Sequence, residues 1–197
     1  MKIKETFISF TDEGKYAYFL LLDSNGGFKE VDELVNLIVH FSRIVIAGDE
    51  PMIQKDEVLK LVKKLIKINP SVMIEIHTNG TTMPSGLGAI KNIEFFVNLQ
   101  MKKSGITYEQ RVIPKIVNWL AMMNTRFVFT VKDKDDVDEV GMIVGDNAIR
   151  KYQVFLRYDG HPEEEELMFL VLIAKSYEYN FSIDWREIFW PEVGKHE

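Results

Sequence analysis

The sequence predicts an α/β fold built on a parallel sheet, and three observations carry that reading. Short runs rich in β-branched and aromatic residues recur along the chain, at residues 16–22, 43–47, 72–77, 93–99, 126–131, 152–157 and 181–183. Helix-patterned segments lie between most of them, and the repeat distance is roughly 20 to 35 residues, the size of a βα unit. Runs such as Ile44-Val45-Ile46 do not alternate polar with apolar, which marks strands covered on both faces.

The elements follow in order. After the first run, Val31, Leu34, Val35 and Ile38 keep the i, i+3, i+4, i+7 spacing of an amphipathic helix. After the second, Val58, Leu59, Val62, Leu65 and Ile66 do the same, with Lys60, Lys63, Lys64 and Lys67 mostly on the opposite, solvated face. Asn69-Pro70 stops that helix, because the residue before proline is pushed out of the α region. A third helix is expected over residues 108–123, with Trp119, Met122 and Met123 in the core. Residues 132–139 read as a charged surface stretch where another helix begins. A further helix starts after His161-Pro162: Pro162 suits a first helical position, and Glu163 to Glu166 suit the positive end of the helix dipole. Strand-then-helix repeats imply a parallel sheet, either open and doubly wound or closed as a barrel or partial barrel. In each case ligands are expected at the carboxyl ends of the strands.

Composition narrows the function classes. With 197 residues and no linker-like or low-complexity tract, the chain reads as one domain, 1–197. A net charge of −6 carries no basic excess, which argues against nucleic acid and anionic membranes as partners. The opening segment lacks a signal-peptide hydrophobic region and no apolar run is long enough to span a bilayer, so a cytoplasmic location is expected. There is no cysteine. Disulfides, thiolate nucleophiles, cysteine-bound zinc and cysteine-held iron–sulfur clusters are excluded together.

Two polar loops stand out. Gly48-Asp49-Glu50-Pro51-Met52-Ile53-Gln54 follows the second run and His77-Thr78-Asn79-Gly80-Thr81 ends the third, so both belong at the ligand edge of a parallel sheet. Each alone is also an ordinary turn sequence. Together they resemble a family. The first is similar to the Gly-Gly-Glu-Pro-Leu-Leu-Gln stretch of the 7-carboxy-7-deazaguanine synthases, radical S-adenosylmethionine enzymes, and Thr78-Asn79-Gly80-Thr81 is similar to their Glu-Thr-Asn-Gly-Thr. Residues 3–14 resemble the family's opening, where a Glu-x-Phe-x-Ser stretch runs into Gln-Gly-Glu-Gly, and Trp185-Arg186-Glu187-Ile188-Phe189-Trp190-Pro191 resembles its closing segment.

The resemblance implies a radical-S-adenosylmethionine-like partial (β/α)6-type parallel barrel and a homodimer. It also implies that Gly48, Asp49, Glu50, Pro51, Thr78 and Asn79 are cofactor-binding positions, with Glu13 and Gln54 facing the substrate. The ligands it suggests are S-adenosylmethionine, a pterin or a deazapurine.

The departures are as informative as the matches. The family's CxxxCxxC loop is missing rather than substituted, since Phe19-Leu20-Leu21-Leu22 passes through Asp23-Ser24-Asn25-Gly26-Gly27 straight into the first helix. Leu21 stands where the family places an arginine for the substrate carboxylate, so that bidentate contact is lost. The family's C-terminal histidine falls near Trp185. The pattern is that of a cluster-free pseudoenzyme, with no catalytic residue assigned.

Other chemistry rests on few residues. If Asp12, Glu13, Asp49 and Glu50 gather at the carboxyl edge, they form an acidic site for a hard cation or an ammonium group. The alternative is that Glu50 caps or salt-bridges structurally while the aspartates are solvated. Asp49 either meets the amino group of a bound S-adenosylmethionine or blocks a site that glycine keeps open. His77 reads as a hydrogen-bonded structural residue, with an acid, base or ligand role as the alternative. Three functions follow: a ligand-binding or regulatory module, a cluster-independent enzyme using Glu13, Glu50 and His77, or an interaction protein with its pocket filled by Asp49, Leu21 and Trp185.

Overall fold

The computed structural model describes residues 1–158 and 163–183. His161, Pro162 and the closing segment 185–191 lie outside the described residues. Among the described residues, nine strands form one sheet. Strands β1 (Lys2–Phe10) and β2 (Tyr16–Leu22) make an antiparallel hairpin, and β3 (Gly27–Phe28) pairs with β1 at Lys2 and Ile3. From β2 onward every pairing is parallel: β4 (Arg43–Gly48), β5 (Met73–Thr78), β6 (Ile93–Asn98), β7 (Thr125–Val131), β8 (Val154–Tyr158) and β9 (Asn180–Ser182) follow in chain order. The fold is therefore α/β with a mostly parallel sheet. Among the described residues the sheet is not closed into a barrel, since β3 and β9 are its two edges.

The strands advance in one direction, so right-handed crossovers stack the helices on one face. Helix α1 (Val31–Ile38) buries Val31, Leu34, Val35 and Ile38, the four residues its spacing predicts. Helix α2 (Lys55–Ile68) buries Val58, Leu61, Val62 and Leu65, leaving Leu59 and Ile66 on the flank of the apolar stripe. The expected third helix is two: α3 (Tyr108–Arg111) and α4 (Pro114–Ala121). Pro114 breaks it, holding Ile113 at φ −101 and ψ 100, outside the α region. Met122, expected in the core, caps the end of α4 and is 69% exposed, while Met123 packs against the core as expected. Trp119 packs against the core as expected. Helix α5 (Lys134–Asp146) starts on a reciprocal cap in which the Asp136 N–H donates to Asp133 Oδ1 and the Asp133 N–H donates to Asp136 Oδ2. Helix α6 (Glu164–Tyr177) is capped by Glu163, whose N–H donates to Glu166.

Alternation divides the strand side chains between two faces. Ile44 and Ile46 join Phe127, Phe129 and the helix residues in the main core, while Val45 joins Ala17 and Phe19 in a second cluster on the helix-free face. The stacked rings of Phe7 and Phe19, 5.0 Å apart, cover Val45 there. This explains why β4 reads apolar on both faces: helices cover one and the hairpin aromatics the other.

Candidate functional site

The two polar loops lie where the parallel order places them, at the carboxyl ends of β4 and β5, and one side chain joins them. Glu50 is 8% exposed. Its Oε1 accepts from the Met52 N–H at 2.9 Å, its Oε2 accepts from the Asn79 N–H at 2.8 Å, and the Thr78 hydroxyl lies 2.8 and 2.9 Å from the two oxygens. Asn79 in turn accepts from the Thr81 N–H at 2.9 Å and the Thr81 hydroxyl at 2.6 Å. The carboxylate thus caps the short turn Pro51–Gln54 and ties it to the β5 loop. Of the two readings of Glu50, the geometry supports the capping one.

The neighbouring residues are engaged in the same way. Gln54 accepts from the Lys2 N–H at 2.7 Å and donates to the Lys2 carbonyl at 3.0 Å, pinning the start of β1 as a strand partner would. Pro51 is buried in the turn, and Gly48 and Asp49 are exposed at the sheet edge. The Asp49 N–H donates to the Leu22 carbonyl at 3.2 Å. The crevice lined by Leu22, Asp23, Ser24, Asp49, Glu50, Ile53 and Gln54 measures about 30 Å³, room for about two or three water molecules. An adenosyl group would need these loops to part. An iron–sulfur cluster does not fit the chain at all, because no thiolate exists to hold it.

Asp12 and Glu13 do not join Asp49 and Glu50. They form the tip of the β1–β2 hairpin, just before β2 begins at Tyr16, whereas Gly48 ends β4 opposite Leu22, the last residue of β2. The two acidic pairs therefore sit at opposite ends of neighbouring parallel strands. Chain order already contained this signal: a residue that precedes a parallel strand belongs at its amino end. Among the described residues, no three His, Asp or Glu side chains converge to hold a metal ion.

A second site, absent from the sequence reading, lies on the helix-free face. Arg126 and Arg157 project there from β7 and β8, alternating with core residues Phe127 and Leu156. A cleft of about 200 Å³ is lined by these arginines with Asp12, Glu13, Phe96, Val128, Phe155, Phe181, Ser182 and Ile183. Arg126 lies over the rings of Phe96 and Phe155, at 5.0 and 5.3 Å, and its Nε donates to Glu94 at 2.6 Å. Glu13 pairs with Arg126 and Lys15, and Asp12 pairs with Arg157. Strands β7 and β8 stand four and five places from β2 in the sheet. A flat sheet would put about 19 Å between β2 and β7, more than the short tip and its side chains can cross, so the sheet curls to bring β7 and β8 toward the hairpin.

This face carries further charge. Arg43 pairs with Glu75, and His77 Nε2 lies 3.8 Å from the other Glu75 oxygen. No hydrogen bond reaches the buried His77 Nε2 among the described residues, and the ring stacks on Phe96 at 4.9 Å. Burial, then the like charge of Glu75, pushes the Glu94 carboxyl above its ordinary value, and burial pulls Arg126 below its own. The charges of Lys15 and Arg43 draw Glu94 back down, and that of Asp12 draws Arg126 back up. The signal for this site was an arginine inside each of two apolar strand runs, since such charges are rarely buried unpaired.

Arg126→Met is therefore expected to cost about 2 kcal/mol, less than the ~3–5 kcal/mol of a fully buried broken pair because both side chains keep some solvent. Arg126→Met with Glu94→Met should recover much of that loss. Urea denaturation decides it: a double variant no more stable than the single one would show that Glu94 and Arg126 are not coupled.

No described helix is long and apolar enough to cross a membrane. No protein-family model matches the chain, and no curated protein matches it.

Proposed function

We propose that the chain is a cluster-free, catalytically degenerate homologue of the 7-carboxy-7-deazaguanine synthases that serves as a small-molecule-binding module. In this reading it is a cytoplasmic homodimer on the partial (β/α)6-type plan, and its ligand site has moved from the Gly48–Gln54 loop to the cleft beneath the hairpin tip. The order of the four motifs along the chain supports the kinship. The cleft carries the functional reading. It pairs guanidinium groups with a wall of phenylalanine rings, a surface suited to a flat, polar ring such as a pterin or a deazapurine. Its volume of about 200 Å³ is below the roughly 300–1,000 Å³ of sites for drug-sized molecules, which suits a single ring system better than a nucleoside such as S-adenosylmethionine.

Thermal unfolding with a pterin, a deazapurine, S-adenosylmethionine, its demethylated product and magnesium tests this. A ligand at ~100 times its dissociation constant adds roughly 2.7 kcal/mol, which is about 5–11 °C for a domain of this size. A shift is expected for a ring ligand in the wild type and none in Arg157→Gln. No shift with any of them removes the module reading. It would favour instead a structural or interaction protein, for which the full engagement of Glu50 and Gln54 already speaks. Anaerobic reconstitution should leave iron at background, and stoichiometric iron with a cluster absorption band would overturn the degenerate assignment.

A further inference from the structure

We infer that the β1–β2 tip is an internal occupant of the cleft: the Asp12 carboxylate holds the place on Arg157 that the acidic group of a small aromatic acid takes when it binds. The inference rests on the cleft being the ligand site.

The basic side of the cleft is built into the sheet. Arg126 is fixed by Glu94 and by the rings above and below it, and the Arg157 Nε donates to the Ser182 hydroxyl at 3.4 Å. Both arginine side chains are about one-fifth exposed, at 20% and 21%. The acidic side is a turn. Thr11 closes it, accepting from the Gly14 N–H at 2.8 Å and donating to the Lys15 carbonyl at 2.8 Å. Beyond Thr11 the tip is held to the sheet through side chains, by the pairs Asp12 makes with Arg157 and Glu13 makes with Arg126. Gly14 takes φ +70, and a side chain there would meet nothing within 4 Å.

The charges balance only when something anionic sits on Arg157. Glu94 compensates Arg126 within the sheet, and Lys15 and Glu13 pair with each other on the tip, from which Glu13 also reaches Arg126. If the tip withdraws it takes Lys15, Glu13 and Asp12 with it, leaving Arg126, Arg157 and Glu94 and a net charge of +1 in the cleft. One carboxylate restores neutrality. The remaining wall, Phe96, Phe155, Phe181 and Ile183, is apolar and faces the body that would carry that carboxylate. Phe181 is 45% exposed, and a ring laid against it would cover apolar surface now in water. A side-chain carboxylate tethered in the same molecule competes at high effective concentration, so the tip lowers the apparent affinity and excludes neutral rings less than acidic ones.

Benzoate is the probe, with benzamide as its neutral counterpart, each titrated by calorimetry into the full chain. Asp12→Asn removes the competitor's charge and should tighten benzoate binding by about tenfold, as expected for losing one charge-assisted contact that the ligand would otherwise have to replace. Benzamide binding should change little, and Arg157→Gln should abolish benzoate binding. In the wild type, saturating benzoate should shift the backbone amide resonances of Glu13 and Gly14, a readout that does not depend on Asp12→Asn folding. If Arg157→Gln abolishes benzoate binding but Asp12→Asn leaves it unchanged and the tip resonances stay put, the cleft binds acids and the tip is not its competitor. If benzoate binds equally well to Arg157→Gln, or to none of these proteins, the cleft reading itself fails and this inference with it.

Discussion

Replacing Glu50 by alanine should lower stability by about 3 kcal/mol, since three donors it satisfies are left inside the protein at about 1–3 kcal/mol each, partly offset by water entering the space. The donors are the Met52 N–H, the Thr78 hydroxyl and the Asn79 N–H, and Met52 and Thr78 are 1% and 4% exposed. For a domain of this length that is roughly 6–12 °C in Tm. Glu50→Gln keeps one acceptor but turns an amide NH₂ toward a backbone N–H, so it should fall between wild type and alanine. Thermal and urea unfolding of both variants decide the matter. An alanine variant within 1 kcal/mol of wild type would mean that the carboxylate does not hold the loops together and is available for a ligand, as the family resemblance implies.

The second large effect is expected at Gly48. It takes φ +124, a conformation that side chains with a Cβ rarely adopt, and a Cβ there would lie 1.9 Å from the Leu22 carbonyl oxygen and 2.6 Å from its nitrogen. The obstacle is backbone, in the last parallel pair between β2 and β4, so no rotamer change relieves it. Gly48→Ala should cost at least about 3 kcal/mol through strain and loss of the Asp49 N–H bond to Leu22. Gly14→Ala is the control: its φ of +70 carries the left-handed penalty of about 1–2 kcal/mol, but the space around it is open. Equal losses at the two positions would show that the contact with β2 is not what requires glycine at Gly48. The glycine that resembles a cofactor motif is therefore explained by strand packing within this chain.

Much of the fold was legible because strand and helix patterns are local. The run at 16–22 matches β2, and the other six expected runs meet strands within one or two residues. What was missed has identifiable causes. Strand β1 carries Lys2, Lys4, Glu5 and Thr6 on an antiparallel pairing at the sheet's rim, so it shows none of the apolar continuity of β4. The 108–123 helix was read through Pro114, although the constraint proline places on its predecessor was visible in the sequence. At the carboxyl edge, the two polar loops were readable as loops and Glu50 as a cap. Their joining by one carboxylate was not, because Glu50 and Asn79 are 29 residues apart.

By itself the sequence determined that no iron–sulfur cluster can be held here, that strands and helices alternate, and that polar loops follow the second and third strand runs. Those statements need only a residue count and patterns a few residues long. Tertiary structure alone decided that Asp12 and Glu13 meet arginines 145 and 113 residues away and that an amphipathic cleft lies beneath them. The reason is physical. An ion pair across a sheet depends on how many strands separate its members, which way each strand runs, and how strongly the sheet curls, and none of these leaves a periodic trace in the chain.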